Sequence, residues 1–302
     1  MNAGAPPSAL DTTLLSGADF TRLRELFYRR TGIAFGDSKR YFVDKRVQAC
    51  IVASGSGDFG GWFARLRLGA DPTLMEALIN SLTVNETYFL REDYQFDHLL
   101  HSVLPAVMVQ RAAAGITREP VRILSLPSST GEEPYSVAIR LLEEWEHIDA
   151  VDVEIAAGDI DTRVLAAARE GIYGRRSLQR VPPAVLRTYF RDLGDGRHQV
   201  VDDLRGAVDF RQVNIGDTTA MRAYRNYDVV FCRNLLIYFD ELSCRQAAEN
   251  LFGAMRPGGF LFLGHSESMS RISSIFTPRR MPDGIVYQRP LDQSMTSRGA
   301  LR

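Results

Sequence analysis

The chain has 302 residues, enough for about two domains of roughly 150 residues each and for a full core without disulfides or metals. Hydrophobic residues make up 45% and charged residues 24%, and 36 Lys+Arg against 37 Asp+Glu leave a net charge of -1, without the basic excess of a dedicated nucleic-acid binder. The three cysteines, Cys50, Cys232 and Cys244, are scattered and form no CxxC pair, which argues against a disulfide framework or a structural zinc site and points to a reducing cytoplasm.

Residues 1–16 are rich in Ala, Pro, Ser and Gly and read as a disordered tail. They carry no basic leader with an unbroken apolar core, so no secretory signal is expected. From 17 to 90 the pattern is helical: Phe20, Leu23, Leu26 and Phe27 share one face, as do Leu74, Leu78, Ile79 and Leu82. Loop signals at 31–36 and 54–61 divide this small all-helical domain. A linking helical stretch over 91–115, with its helix from about 92 to 114, is bent or split at Pro105. Its most apolar part, 103–109, is far shorter than the roughly 20 residues of a membrane span, so no membrane insertion is expected.

After Gly115 strands alternate with helices, the signature of a doubly wound α/β sheet over 116–290. The predicted strands are 121–126, 153–157, 207–213, 227–232, 260–263 and 284–288. The predicted helices are 132–145, 162–170 and 242–255. Residues 173–206 interrupt the alternation, and Gly194-Asp195-Gly196 followed by Gln199-Val200-Val201 predicts a small β-hairpin insert. Residues 291–302 read as a flexible tail.

Ligands of doubly wound folds sit at the carboxyl ends of strands. The turn after the first strand reads Leu126-Pro127-Ser128-Ser129-Thr130-Gly131-Glu132-Glu133-Pro134, with neither GxGxxG nor GxxxxGK[ST], so dinucleotides and nucleoside triphosphates lose their main support. A plain alternative is that Thr130 and Glu133 form a capping box for the next helix. The second strand ends in Gly158-Asp159-Ile160-Asp161. Either acid can cap the following helix; position favours Asp159 for ribose hydroxyls and Asp161 for the cap. A ribose acid without a phosphate loop suits a nucleoside lacking phosphates, with S-adenosylmethionine the leading candidate. His98 and His101 share a helical face but have no third metal ligand, so a solvated pair is expected and no metal. Cys232 reads as a core residue.

Five segments, in order, resemble those of the CheR-type chemoreceptor methyltransferases: Asn85-Glu86-Thr87-Tyr88-Phe89-Leu90-Arg91-Glu92, Ser129-Thr130-Gly131-Glu132-Glu133-Pro134-Tyr135-Ser136, Asp159-Ile160-Asp161, Phe231-Cys232-Arg233-Asn234 with Ile237-Tyr238-Phe239-Asp240, and Gly264-His265-Ser266-Glu267-Ser268. The resemblance covers about residues 19–288. It implies a Rossmann-like S-adenosylmethionine methyltransferase domain that esterifies glutamate side chains on the cytoplasmic helices of chemoreceptors and releases S-adenosylhomocysteine. Leu126-Pro127-Ser128 departs from the smaller residues usual in the family.

Carried over residue by residue, Asn85, Thr87 and Arg91 would reach over the cofactor from the domain junction. Glu133 and Asp159 would bind its polar groups, Asn214 and Ile215 would meet the adenine end, and Arg233 and Asn234 would line the site. Arg91 and Tyr238 would orient the acceptor carboxylate. Lys39, Arg40, Lys45 and Arg46 make the second helix basic, and the resemblance implies that this domain touches the receptor. Some family members grip a receptor C-terminal peptide with the insert hairpin. Here residues 191–200 are short and poor in apolar side chains, so docking through the basic helix is expected to dominate. The rival readings are a small-molecule methyltransferase and a non-catalytic receptor adaptor.

Overall fold

A computed structural model describes residues 15–69 and 71–291, which divide into two units at Thr83/Val84. The expected tails lie almost wholly outside the described residues; of their members, Leu15 is buried and Ser16 caps the first helix.

The first unit holds α1 (Gly17–Thr31), α2 (Arg40–Ala53), α3 (Phe59–Leu68) and α4 (Pro72–Leu82). Each start has a local cause where a side-chain oxygen takes an otherwise unpaired backbone donor. Ser16 accepts from Asp19 N, Asp58 from Gly61 N, and Asp71 from Thr73 N beside Pro72. Phe20, Leu23, Phe27, Val47, Trp62, Leu66, Leu78 and Leu82 fill the core. Leu26 and Ile79, expected on the same faces, are half-buried at its margin. Arg40 is turned inward: it donates to the Leu15 carbonyl, pairs with Asp44 at 3.5 Å and lies 5.1 Å from the Phe20 ring centre. Lys39, Lys45 and Arg46 are exposed.

Among the described residues the second unit has ten strands: β1 (Val121–Ser125), β2 (Val153–Asp159), β3 (Ile172–Tyr173), β4 (Phe190–Gly194), β5 (Arg197–Val200), β6 (Val208–Gln212), β7 (Tyr227–Cys232), β8 (Met255–Leu263), β9 (Thr277–Met281) and β10 (Gly284–Gln288). Seven form one sheet in the order β6-β2-β1-β7-β8-β10-β9, parallel except where β10 pairs antiparallel with β8 and β9. Every residue of β7 is buried because helices cover both faces. Val229 and Phe231 pack with helices Leu104–Ala113 and Glu132–Glu144; Val230 and Cys232 pack with helix Glu241–Ala254. No described helix is long and apolar enough to cross a membrane.

Three local expectations need correction. The stretch before Pro105 is no uniform helix: Tyr94–His98 is α-helical, Leu99–Val103 is a π-helical turn, and Pro105 sits in the first turn of Leu104–Ala113. A proline has no N–H for the carbonyl four residues back, and the turn before it widens. His98 is buried with its ring edge-on to Tyr94 at 5.6 Å, and burial lowers its pKa; only His101 is exposed, so the two are no solvated pair. The insert is three-stranded, β3-β5-β4, and the predicted turn connects its β4–β5 hairpin.

Candidate active site

An open cleft of about 520 Å³ lies at the carboxyl ends of β1, β2 and β7. Its floor is the turn after β1. Here Ser129 and Gly131 take left-handed φ values of 47° and 94°, and a Cβ on Gly131 would stand 3.0 Å from Ala168 Cβ, so only glycine fits. Asp159, 4% exposed, clamps this turn to its own: Oδ2 accepts from Ser129 N at 2.9 Å and Oδ1 from Asp161 N at 3.0 Å. Burial, with a smaller push from Asp161, raises its pKa to about 6. Asp161 is the helix cap, accepting from Arg163 N and Val164 N, and it also accepts from Asn85 Nδ2 at 2.9 Å. The two acids therefore divide their work, and Asp159 is the one facing the cleft.

The capping-box alternative does not form. Gly131 occupies the N-cap without a side-chain bond, Thr130 donates to Glu132, and Glu133 turns toward the sheet. Glu133 accepts from Ser125 Oγ at 2.7 Å and from Arg233 Nη1 at 2.9 Å. Arg233, buried at the end of β7, also donates to the Arg91 carbonyl at 2.6 Å and pairs with Glu92 at 3.1 Å. Burial pushes the Glu133 carboxyl up against the pull of Arg233. Burial also acts upward on Glu92, but Arg233 and His265 more than offset it and hold Glu92 below its usual value.

Asn234 has φ 59°, and its N–H donates to Glu267 at 2.8 Å. The same carboxylate accepts from Leu236 N at 2.7 Å and Gly264 N at 2.8 Å, joining the loops after β7 and β8. Asn85, Thr87, Arg91, Glu133, Asp159, Arg233 and Asn234 all line the cleft. Tyr238 does not line it; burial raises the pKa of its half-buried phenol, while nearby Arg91 pulls it down. Asn214 and Ile215 are also outside the lining, just past β6 and next to β2 in sheet order. Asn214 Oδ1 accepts from Gly216 N, and buried Ile215 gives its carbonyl to Asn250. Glu92, Glu267, Ser125, Ser128 and Tyr88 are contributors without an assigned role in the sequence reading. Glu92, Glu267 and Tyr88 stand inside the matched segments, but only the folded loops reveal their partners. Exposed Asp97, His101 and Glu144 also approach one another, with both carboxylates already paired to Arg140.

Two buried polar atoms on residues of the cleft wall, Ser128 Oγ and Arg233 Nε, have no hydrogen-bond partner among the described residues. A buried carboxylate at the end of the second strand suits ribose hydroxyls. Sheet order and the cleft at the strands' carboxyl ends together define a doubly wound, Rossmann-like fold of the methyltransferase class. The all-alpha domain of CheR methyltransferases matches residues 18–83 and their S-adenosylmethionine-binding domain matches residues 85–285; the chain belongs to the CheR methyltransferase family. It is 45% identical over 281 residues to chemotaxis protein methyltransferase 2 of Vibrio cholerae, covering 93% of this chain and 96% of that protein. It is 37% identical over 260 residues to chemotaxis protein methyltransferase 2 of Pseudomonas aeruginosa, covering 85% and 89%. With the chemotaxis protein methyltransferase of Escherichia coli it shares 34% over 279 residues, covering 88% and 89%.

Proposed function

We propose that this enzyme esterifies glutamate side chains on the cytoplasmic helices of a chemoreceptor. The observation that carries the reading is Arg91: a guanidinium on the cleft wall, fixed by a 2.7 Å bond to the Glu86 carbonyl, with no carboxylate partner among the described residues. It offers an incoming carboxylate a positioned cation. S-adenosylmethionine supplies an electrophilic methyl group on a sulfonium. Asp159 would hold its ribose, Asn85, Thr87, Glu133, Arg233 and Asn234 its polar groups, and Asn214 and Ile215 its adenine end.

A glutamate carboxylate is already ionised at neutral pH, so the displacement requires no general base. The side chains act by alignment and by excluding water. Arg91 and Tyr238 orient the acceptor by hydrogen bonding, weakly enough that its charge can disperse as the new bond forms. The test is incubation with methyl-labelled cofactor and chemoreceptor-bearing membranes. Base-labile label on the receptor band is expected. Label on a small molecule alone, or cofactor binding without any transfer, would replace this reading by one of its rivals.

A further inference from the structure

The insert reaches the cleft through a short, well-tied segment. Phe89 N donates to the Ser177 carbonyl at 2.9 Å, Ser177 Oγ donates to Glu132 at 2.9 Å, and Arg176 pairs with Glu86 at 2.6 Å. These bonds place the neighbouring Arg180, itself exposed, with its guanidinium 5.4 Å from the centre of the Tyr88 ring. Arg91 lies 5.8 Å from the same ring, and Tyr88 lines the cleft.

The buried arginines of this unit are neutralised at short range: Arg111 by Asp228, Arg140 by Asp93, Asp97 and Glu144, and Arg233 by Glu92 and Glu133. Among the described residues neither Arg91 nor Arg180 has a carboxylate partner. Two uncompensated like charges thus share one aromatic ring at the cleft. The ring's negative face attracts each of them, yet it carries no charge to cancel theirs. On the glutamate reading, Arg91 serves the carboxylate that is methylated. Arg180 has no role in that step.

We propose that Arg180 is a specificity-determining residue that receives a second carboxylate of the acceptor, from a side chain flanking the methylated glutamate. The inference rests on the glutamate reading and adds to it a preference for acid-flanked sites. Ordering of Arg180 against Tyr88 lowers the conformational cost of that contact, and the tie of Arg176 to Glu86 keeps the insert segment in place.

The test uses the full-length enzyme, labelled cofactor and a soluble chemoreceptor cytoplasmic fragment at low salt. Arg180→Ala is expected to raise KM for the fragment by about fivefold, the upper end for one exposed ion pair, while S-adenosylhomocysteine affinity measured by calorimetry stays at the wild-type value. Arg180→Lys keeps most of the acceptor affinity. A fragment whose acids flanking the methylated positions are changed to amides raises KM for the wild-type enzyme and leaves the Arg180→Ala enzyme unmoved. A wild-type KM in Arg180→Ala, or an equal response of both enzymes to the neutralised fragment, overturns the assignment and leaves the glutamate reading standing. Absence of base-labile label with the wild-type enzyme overturns both.

Discussion

At Asp159 both carboxylate oxygens already accept backbone N–H groups, and burial raises the pKa to about 6. A native value above the unfolded one means that the folded protein holds this proton more tightly. The unliganded protein should therefore lose stability as pH rises from about 4 to about 6, by on the order of 3 kcal/mol from this group. Thermal unfolding of Asp159→Asn across that window should lack the slope. Cofactor binding should run the other way, because ribose hydroxyls donate best to the ionised form. Calorimetry should find S-adenosylhomocysteine affinity falling below about pH 6 in the wild type, and weakened by about 1–3 kcal/mol in Asp159→Ala. Arg91→Ala and Tyr238→Phe should lower turnover by up to about a hundredfold at saturating cofactor with an unchanged Tm, since misalignment alone costs that much. A wild-type rate in either variant would give that residue a structural role instead.

Among the elements, the loops after β7 and β8 are held by one carboxylate. Glu267→Ala leaves the N–H groups of Asn234, Leu236 and Gly264 without their acceptor, and a loss of about 1–3 kcal/mol in chemical denaturation should accompany weaker cofactor binding. Strands 227–232 and 284–288 were legible because buried strands need apolar, β-branched or aromatic side chains. Strand β9, Thr277–Met281, was not: four of its five residues are exposed and Pro278 stands among them, so an edge strand carries no apolar pattern. The two-residue β3 is shorter than any periodicity can show. At the site, chain position alone separated Asp159 from Asp161. The roles of Glu133 and Glu267 depend on contacts with loops far away in sequence, which spacing does not encode.

For the molecule as a whole, a net charge of -1 conceals an uneven distribution. Lys39, Lys45 and Arg46 are exposed in and beside α2, whereas Arg40 is occupied by Leu15, Asp44 and Phe20. Lys45→Glu and Arg46→Glu should raise KM for receptor and blunt the loss of activity with added salt, leaving cofactor affinity unchanged in a titration. Arg40→Ala should instead lower the Tm. The β4–β5 hairpin turns tightly at Gly194, Asp195 and Gly196, and Leu193 is its one exposed large apolar side chain. A receptor C-terminal peptide is therefore expected not to bind; micromolar affinity lost on altering residues 195–200 would show that a tether operates.

Arg233 touches Glu92, Glu133 and the Arg91 carbonyl at once. Substitutions among these positions will not combine independently, because removing one acid changes the charge balance felt by the other through the shared guanidinium. In a lineage of such enzymes, an acceptable change at Glu133 becomes conditional on what stands at positions 92 and 233. Drift at this corner of the site is expected to proceed as a linked set, while exposed positions such as Lys45 and Arg180 remain free to follow the receptor one substitution at a time.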